Sequence, residues 1–251
     1  MIKEALWMLR HLKYYLSPRR SISSWCKDLA AWQRFWKSYQ RYKQLASPSE
    51  QPRLDHLYPC LGDDTAQTPI DPIYFYQDAW AFEKIVNQNP RQHIDVGSHH
   101  KFVALLSKVV PVTMVDIRPL SLPLDTLSFQ EGSILELPFE DRSIESLSSL
   151  CVVEHIGLGR YGDLLDPKGT EKAIRELKRV VKVNGNLYLS LPINDKNYTF
   201  FNAHRILSED YFFDLIQPFK IIEKNYIFGG KFTNHKLNGF GIGLYFLQNK
   251  I

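Results

Sequence analysis

From residue 92 onward, short apolar runs take turns with segments of helical period. "QHIDV" (92–96) reads as a strand ending at Gly97, and "KFVALLSKVV" as the helix after it. "VTMVDI" and "LSFQEG" read as a second and a third strand, the latter followed by the turn "LPFEDRS". "IESLSSLCV" reads as a fourth. Thr170 is placed to cap the next helix, "EKAIRELKRVVKV", whose apolar face is Ala173, Ile174, Leu177, Val180 and Val181. Asn184-Gly185 is expected to close that helix ahead of a fifth strand, "NLYLSLP". A helix near "SEDYFFDLI" and two strands, "FKIIEKNYIF" and "GIGLYFLQN", finish the chain. Strands alternating with helices build a mostly parallel sheet covered on both faces.

Upstream the pattern changes. "YFYQDAWAFEKIVNQNP" reads as a helix stopped by Pro90, and residues 47–72 carry five prolines, which makes them a connecting segment. Residues 1–46 form a helical arm, so the expected division is 1–46, 47–72 and 73–251. Residues 1–50 hold ten Lys or Arg against three Asp or Glu, whereas the remainder holds 21 against 24. The positive charge therefore belongs to the arm, as do Trp7, Trp25, Trp32 and Trp36. Trp25, Leu29, Trp32, Trp36 and Tyr39 fall on one helical face, with Lys27, Arg34, Lys37 and Arg41 largely off it. Such a helix can cap the main domain, or residues 1–45 can dock a protein partner or an anionic membrane surface. No recognised nucleic-acid module accompanies the charge, so no nucleic-acid partner is expected.

Composition excludes other classes. No run of 18 apolar residues exists, and charges interrupt the N-terminus where a signal peptide would be uncharged. Three cysteines, Cys26, Cys60 and Cys151, are too few and too far apart for a disulfide framework or a C-x-x-C metal site. A cytoplasmic protein is the expectation.

In an open α/β sheet, ligands bind beyond the carboxyl ends of the strands. Those ends present Asp95, Gly97 and Ser98 after the first strand and Asp116 after the second. A glycine there lets backbone approach a ligand, and Asp116 lies where an acid would accept bonds from ribose hydroxyls. The dinucleotide pattern G-x-G-x-x-G fails, because His99 and Phe102 occupy its second and third glycine positions. A metal set drawn from His93, Asp95, His99, His100 and His155 lacks ligand spacing, so no metal is expected. No G-x-S-x-G elbow or P-loop is present.

"IDVGS", "VDI", "LPFEDRSIESLSSLCVVEHI" and "AIRELKRVVKVNGNLYLSLP" together resemble the class I S-adenosylmethionine-dependent methyltransferases over residues 92–192. "YFYQDAW", "VDIRPL", "EHIGLGRYGD" and "FNAHR" resemble, more narrowly, a bacterial family known as domain of unknown function 268, over most of residues 57–210. The resemblance implies a Rossmann-like sheet of seven mostly parallel strands with the last antiparallel, and S-adenosylmethionine as cofactor. It implies that Asp95, Gly97 and Ser98 cradle the methionine portion, and that Asp116 takes the ribose with Ile117 beside the adenine. Ser133 and Ile134 would flank the adenine; Ser133 stands where the family usually has an acid, and His99 where it usually has a second glycine.

The densest cluster of ionisable groups is "CVVEHIGLGRYGD", residues 151–163. Methylating a hydroxyl calls for a base, and Glu154, His155 and Asp163 follow the fourth strand, where one is needed. His204, after the fifth strand, is a second candidate base. Arg160, Tyr161 and Arg205 suit an anionic or sugar acceptor, although they could equally serve as internal ion-pair partners. The expected function is O-methylation, with a small molecule, sugar or glycan intermediate as acceptor; surface-polysaccharide synthesis is suggested by the family alone. The alternatives are a non-catalytic scaffold of the same fold, docking a partner through its arm, and a dinucleotide-dependent oxidoreductase.

Overall fold

The computed structural model describes residues 22–118 and 120–250. The arm's first segment, with Trp7, lies outside the described residues. The chain divides between Pro69 and Ile70 into two compact units. In the first, helix α1 (Ile22–Leu45) exposes Trp25, Leu29 and Trp36. The Trp36 ring stacks on Trp32 with ring centres 6.4 Å apart. After α1 the chain makes two single 3-10 turns, and Arg34 pairs with Asp64 at 2.9 Å. No described helix is long and apolar enough to cross a membrane.

The second unit opens with α2 (Pro72–Gln88), whose start needs no N–H from Pro72 and is capped by Asp71 accepting from the Ile73 amide. Then come β1 (His93–Val96), α3 (His100–Leu106), β2 (Val112–Asp116), β3 (Leu127–Glu131) and β4 (Ile144–Leu150). They are followed by α4 (Gly169–Val180), β5 (Val181–Asn194), β6 (Tyr198–Phe200), β7 (His204–Ser208) and α5 (Glu209–Ile216). β8 (Lys220–Phe228), β9 (Lys231–Thr233) and β10 (Gly241–Gln248) close the unit.

The sheet runs β3-β2-β1-β4-β5-β10-β8-β9. β1 to β5 are parallel, and β10 inserts antiparallel between β5 and β8. This is the expected seven-stranded core with an antiparallel last strand. β6, β7 and β9 are additions: β7 continues the sheet beside the far end of β5, with β6 folded back on it.

Alternation along each strand sorts the core into two layers. Ile94, Val96 and Leu187 pack with Ile174 and Leu177 of α4 and Phe212 of α5. Val112, Met114 and Tyr188 pack on the opposite face with Trp80 of α2 and Phe102 of α3. Burying a side chain the size of Leu177 contributes about 1.5–3 kcal/mol. The order reverses between β1 and β4, so the crevice at their carboxyl ends is the place for a ligand.

Two local expectations are corrected. Thr170 does not cap α4: Lys168 precedes its first residue, and the Thr170 hydroxyl donates to the Val153 carbonyl instead. Asn184-Gly185 does not end that helix either. α4 stops at Val180 and passes directly into β5, which carries the pair within it. Asn184 takes φ 60°, and its amide donates to the Asn249 carbonyl at 2.7 Å, so the positive φ serves an irregularity inside a strand.

Candidate active site

One cavity of about 710 Å³ opens at the carboxyl ends of β1, β2 and β4, within the usual size for a small-molecule site. Its first end is built by the loops after β1, β2 and β3. Gly97 takes φ 72°, and a Cβ there would meet Val152 at 3.0 Å, so glycine answers both the turn and the close approach. Beneath it Asp95 is fully buried. Its Oδ1 accepts from the Ser98 amide at 3.0 Å and its Oδ2 from the Ser148 hydroxyl. With the Ser148 proton committed to Asp95, His93 must donate from Nε2 to Ser148 and accept at Nδ1 from Ser146, each at 2.8 Å. Burial lowers the His93 pKa to about 3, and burial raises that of Asp95 to about 6 against the pull of its hydrogen bonds.

Asp95 therefore does not line the cavity, which corrects its expected contact with the cofactor. It ties the Gly97 turn to β4 from below. Ser98 does line the cavity, with its hydroxyl oxygen accepting from the Leu150 amide at 3.0 Å. Asp116, at the end of β2, faces the cavity; its Oδ1 accepts from the Arg118 amide at 2.7 Å and its Oδ2 has no partner among the described residues. Ile117, Ser133 and Ile134 complete this end, the Ser133 oxygen accepting from the Leu135 amide at 3.1 Å.

The second end belongs to the segment after β4. Cys151 turns with φ 52° and the chain drops into a short 3-10 turn carrying Glu154 and His155. Glu154 is buried beside the cavity, its Oε2 has no hydrogen-bond partner among the described residues, and burial pushes its pKa up to about 8. His155 Nδ1 lies 2.6 Å from the Ala203 carbonyl. A carbonyl only accepts, so Nδ1 carries the proton and Nε2 holds the lone pair. Glu154 Oε1 lies 3.7 Å from that Nε2, beyond a hydrogen bond. Burial also lowers the His155 pKa, against the hydrogen bond to Ala203, which favours the neutral ring. His204 comes from the start of β7 with its ring centre 6.5 Å from that of His155, and Tyr161 meets His155 edge-on at 5.8 Å.

Both glycines that bracket Leu158 serve this loop, and Gly157 shows why. At φ 79°, a Cβ on Gly157 would meet the Asp166 carbonyl oxygen at 2.3 Å. Asp163 then fixes the loop from inside: its carboxylate accepts from the Gly157 amide at 2.7 Å and the Tyr161 amide at 3.2 Å. Burial raises its pKa, but these N–H bonds outweigh it and hold Asp163 below the ordinary value. Asp163 borders the cavity as an anchored carboxylate, which corrects its expected place among the bases.

Arg205 is the larger correction. It is 7% exposed and turned away from the cavity. Its guanidinium donates to the Ile156 carbonyl at 2.5 Å, the Asp166 carbonyl at 2.8 Å and the Thr170 hydroxyl at 3.1 Å. A rigid fork of five donors suits three oxygens at the base of a loop, so Arg205 staples the loop to α4 and does not bind acceptor. Arg118, Tyr74 and Phe240 line the cavity although sequence reasoning did not single them out. Tyr74 and Arg118 had a signal, since they fall in "YFYQDAW" and "VDIRPL", and Arg118 stands two residues beyond Asp116.

Residues 139–230 match the family model described as "Caenorhabditis protein of unknown function, DUF268". No curated protein matches the chain in sequence. Among solved structures, the N-methyltransferase NodS of Bradyrhizobium japonicum, in complex with S-adenosylhomocysteine, aligns with a TM-score of 0.52 at 12% identity, over 86% of this chain and 98% of that one. The 1,6-didemethyltoxoflavin-N1-methyltransferase of Burkholderia thailandensis aligns with a TM-score of 0.52 at 13% identity, over 94% and 93%. The [4+2]-cyclase SpnF aligns with a TM-score of 0.51 at 11% identity, over 69% and 82%.

The chain has the class I methyltransferase fold.

The DUF268 match starts later than the resemblance drawn from residue 57 and runs past residue 210, so it takes in the loop, β5 to β8 and both histidines but not β1 or β2. Its description names Caenorhabditis, not bacteria. Within the methyltransferase fold, Gly97, Ser98, Asp116, Ile117, Ser133 and Ile134 gather at one end of the cavity. Glu154, His155, Arg160, Tyr161, Asp163 and His204 gather at the other. Asp95 and Arg205 are the two expected site residues that it leaves outside. The presence of a cyclase among the neighbours means that the fold alone does not fix the reaction.

Proposed function

We propose that this chain is an S-adenosylmethionine-dependent methyltransferase that methylates a hydroxyl group, on a sugar or glycan intermediate, with His155 as the general base. One observation carries the reading: a single cavity joins the Gly97–Asp116 end to a histidine whose free lone pair is fixed at Nε2.

The residues present fit the cofactor. Gly97 leaves room where a side chain would close the turn, and Asp116 keeps one carboxylate oxygen open to a pair of ribose hydroxyls. Ile117 and Ile134 offer apolar surface for an adenine, and the Ser133 hydroxyl proton remains available for a ring nitrogen. When bound, S-adenosylmethionine would supply a methyl group on a positively charged sulfur, open to in-line attack. The protein's part is alignment and proton transfer. Holding the attacking oxygen in line supplies several kcal/mol of the barrier. His155 Nε2 would accept the hydroxyl proton as the oxygen–carbon bond forms and the carbon–sulfur bond breaks. The imidazolium so formed lies beside Glu154 Oε1, which favours it once Glu154 is ionised.

Calorimetric titration with S-adenosylhomocysteine tests the cofactor half. Binding is expected in the parent and should weaken by about 1.5–3 kcal/mol, on the order of tenfold to a hundredfold, in Asp116→Ala. A folded parent that does not bind overturns the reading. Methyl transfer from labelled S-adenosylmethionine to a panel of hydroxylated sugars tests the other half, and binding without transfer to any of them would favour the non-catalytic scaffold.

A further inference from the structure

Two guanidinium groups converge on one ring at the acceptor end of the cavity. Arg118 comes from the loop after β2 and Arg160 from the loop after β4, on opposite sides of the switch point. The Arg118 Cζ lies 4.5 Å from the centre of the Tyr161 ring and the Arg160 Cζ 5.1 Å. Bringing two like charges together is unfavourable unless something nearby offsets it.

The nearby acids are committed elsewhere. Among the described residues Arg160 makes no ion pair with a carboxylate: its one good hydrogen bond goes to the Ala203 carbonyl at 3.2 Å, and its near neighbours include His155 and Tyr161. Asp163 is held by backbone N–H groups, and Glu154 is buried and biased toward its neutral form. The one carboxylate that Arg118 reaches among the described residues is Asp116, whose Oδ1, 3.9 Å away, is already taken by the Arg118 amide. His155 and His204 stand on the same wall, each with its pKa lowered by burial and further by the Arg160 charge. The Asp163 carboxylate answers part of this charge without reaching the guanidinium donors, so what this end has to spare is N–H groups: most of the Arg160 fork is without a partner among the described residues.

We infer that the acceptor is an anion, a hydroxyl compound whose carboxylate or phosphoryl oxygens are gripped by Arg160 and Arg118 beside the Tyr161 ring. Planar guanidinium forks match both groups through paired N–H donors. The word acceptor rests on the methyltransferase reading; the anion site rests on the geometry alone. Arg118 is a specificity-determining residue that bridges the two ends of the cavity, since its backbone amide holds Asp116 while its side chain reaches Tyr161.

Titration calorimetry with glucuronate, glucose 6-phosphate and glucose, run with and without S-adenosylhomocysteine, tests this. At least one anion should bind about tenfold or more tightly than glucose, and the preference should shrink as salt rises, because exposed charges are screened within about 10 Å at 0.1 M. Which anion binds separates carboxylate from phosphoryl recognition. Arg160→Gln should abolish the preference while S-adenosylhomocysteine still binds. If Arg160→Gln does not fold, Arg118→Gln, on a side chain 63% exposed, carries the same expectation. Glucose binding as well as both anions, no saturable anion binding, or anion affinity unchanged in the folded variants would each overturn the inference. Anion binding without any S-adenosylhomocysteine binding would support the site and sink the methyltransferase reading.

Discussion

At the end of the cavity made by β1 to β3, nearly every polar side chain already has its partner. Along it Ser98 and Ser133 each accept on the hydroxyl oxygen and Asp116 on one oxygen, and beneath it Asp95 is bound on both oxygens. At the end made by the loop after β4, Glu154 Oε2, His155 Nε2 and most of the Arg160 fork have none among the described residues. The first end is a nearly finished mould that offers backbone, the Ser133 hydroxyl proton and one open carboxylate oxygen. The second stores polar capacity that folding left unused, and a buried orphan such as Glu154 Oε2 costs about 1–3 kcal/mol. A region that keeps such a group, when an apolar side chain would be more stable, is where chemistry should be sought.

The sharpest way to break this contrast is His155→Ala. Turnover should fall about 10²- to 10⁴-fold while S-adenosylhomocysteine affinity stays as it was, measured by steady-state kinetics beside calorimetry. Equal losses in both would mean that the two ends are one unit. His204→Ala, with its ring 6.5 Å from His155, should cost far less.

Arg205→Ala comes next. Three oxygens at the base of the loop lose their donor, and two of the bonds are shorter than 3 Å. The expected destabilisation is about 2–4 kcal/mol, seen as a melting temperature lower by roughly 4–16 °C in a domain of this size. An unchanged melt would return Arg205 to the list of acceptor-binding residues.

The smallest effect concerns Glu154→Gln. The folded pKa of Glu154, about 8, stands above its ordinary value of 4.5, so the folded state keeps a proton that the unfolded state has lost. That contribution is fully present below pH 4.5 and is lost as pH rises through about 8, at up to about 1.4 kcal/mol per pH unit. Asp95 and Asp78, both raised to about 6 by burial, act with the same sign but lower in the range. Between about pH 6.5 and 8 the parent should therefore lose stability that the Gln variant keeps, and parallel melting curves would show Glu154 to be ionised in the resting protein.

The strand–helix alternation from residue 92 was legible because apolar period and burial agree there, as in α4, where Ala173, Ile174, Leu177 and Val180 all face the core. The loop with its glycines was legible as a site because ionisable groups are rarely crowded without cause. The role of Arg205 was not, since "HR" after a turn carries no trace of which carbonyls a long side chain will reach. Asp95 misled for the opposite reason: a strand-ending acid beside glycine looks like a ligand, and only the buried Ser148 and Ser98 show it to be internal. Arg118 needed the tertiary contact with Tyr161 to be noticed. Asn184-Gly185 looked like a helix end because the same left-handed conformation also serves irregular strands.

The acceptor that selects the His155 tautomer is the peptide oxygen of Ala203, which Arg160 shares. No side-chain replacement at position 203 deletes a main-chain oxygen, so a mutational scan across this loop cannot remove the contact directly. A change of residue there leaves the protonated nitrogen where it is as long as the chain keeps its path, which the Ala203 amide helps to hold by donating to the Phe200 carbonyl. Only a change in the path of the chain between Phe200 and His204, or chemical synthesis with an ester in place of the 203–204 amide, can weaken it. The contact that fixes how His155 presents its lone pair is thus invisible to substitution and legible only to geometry.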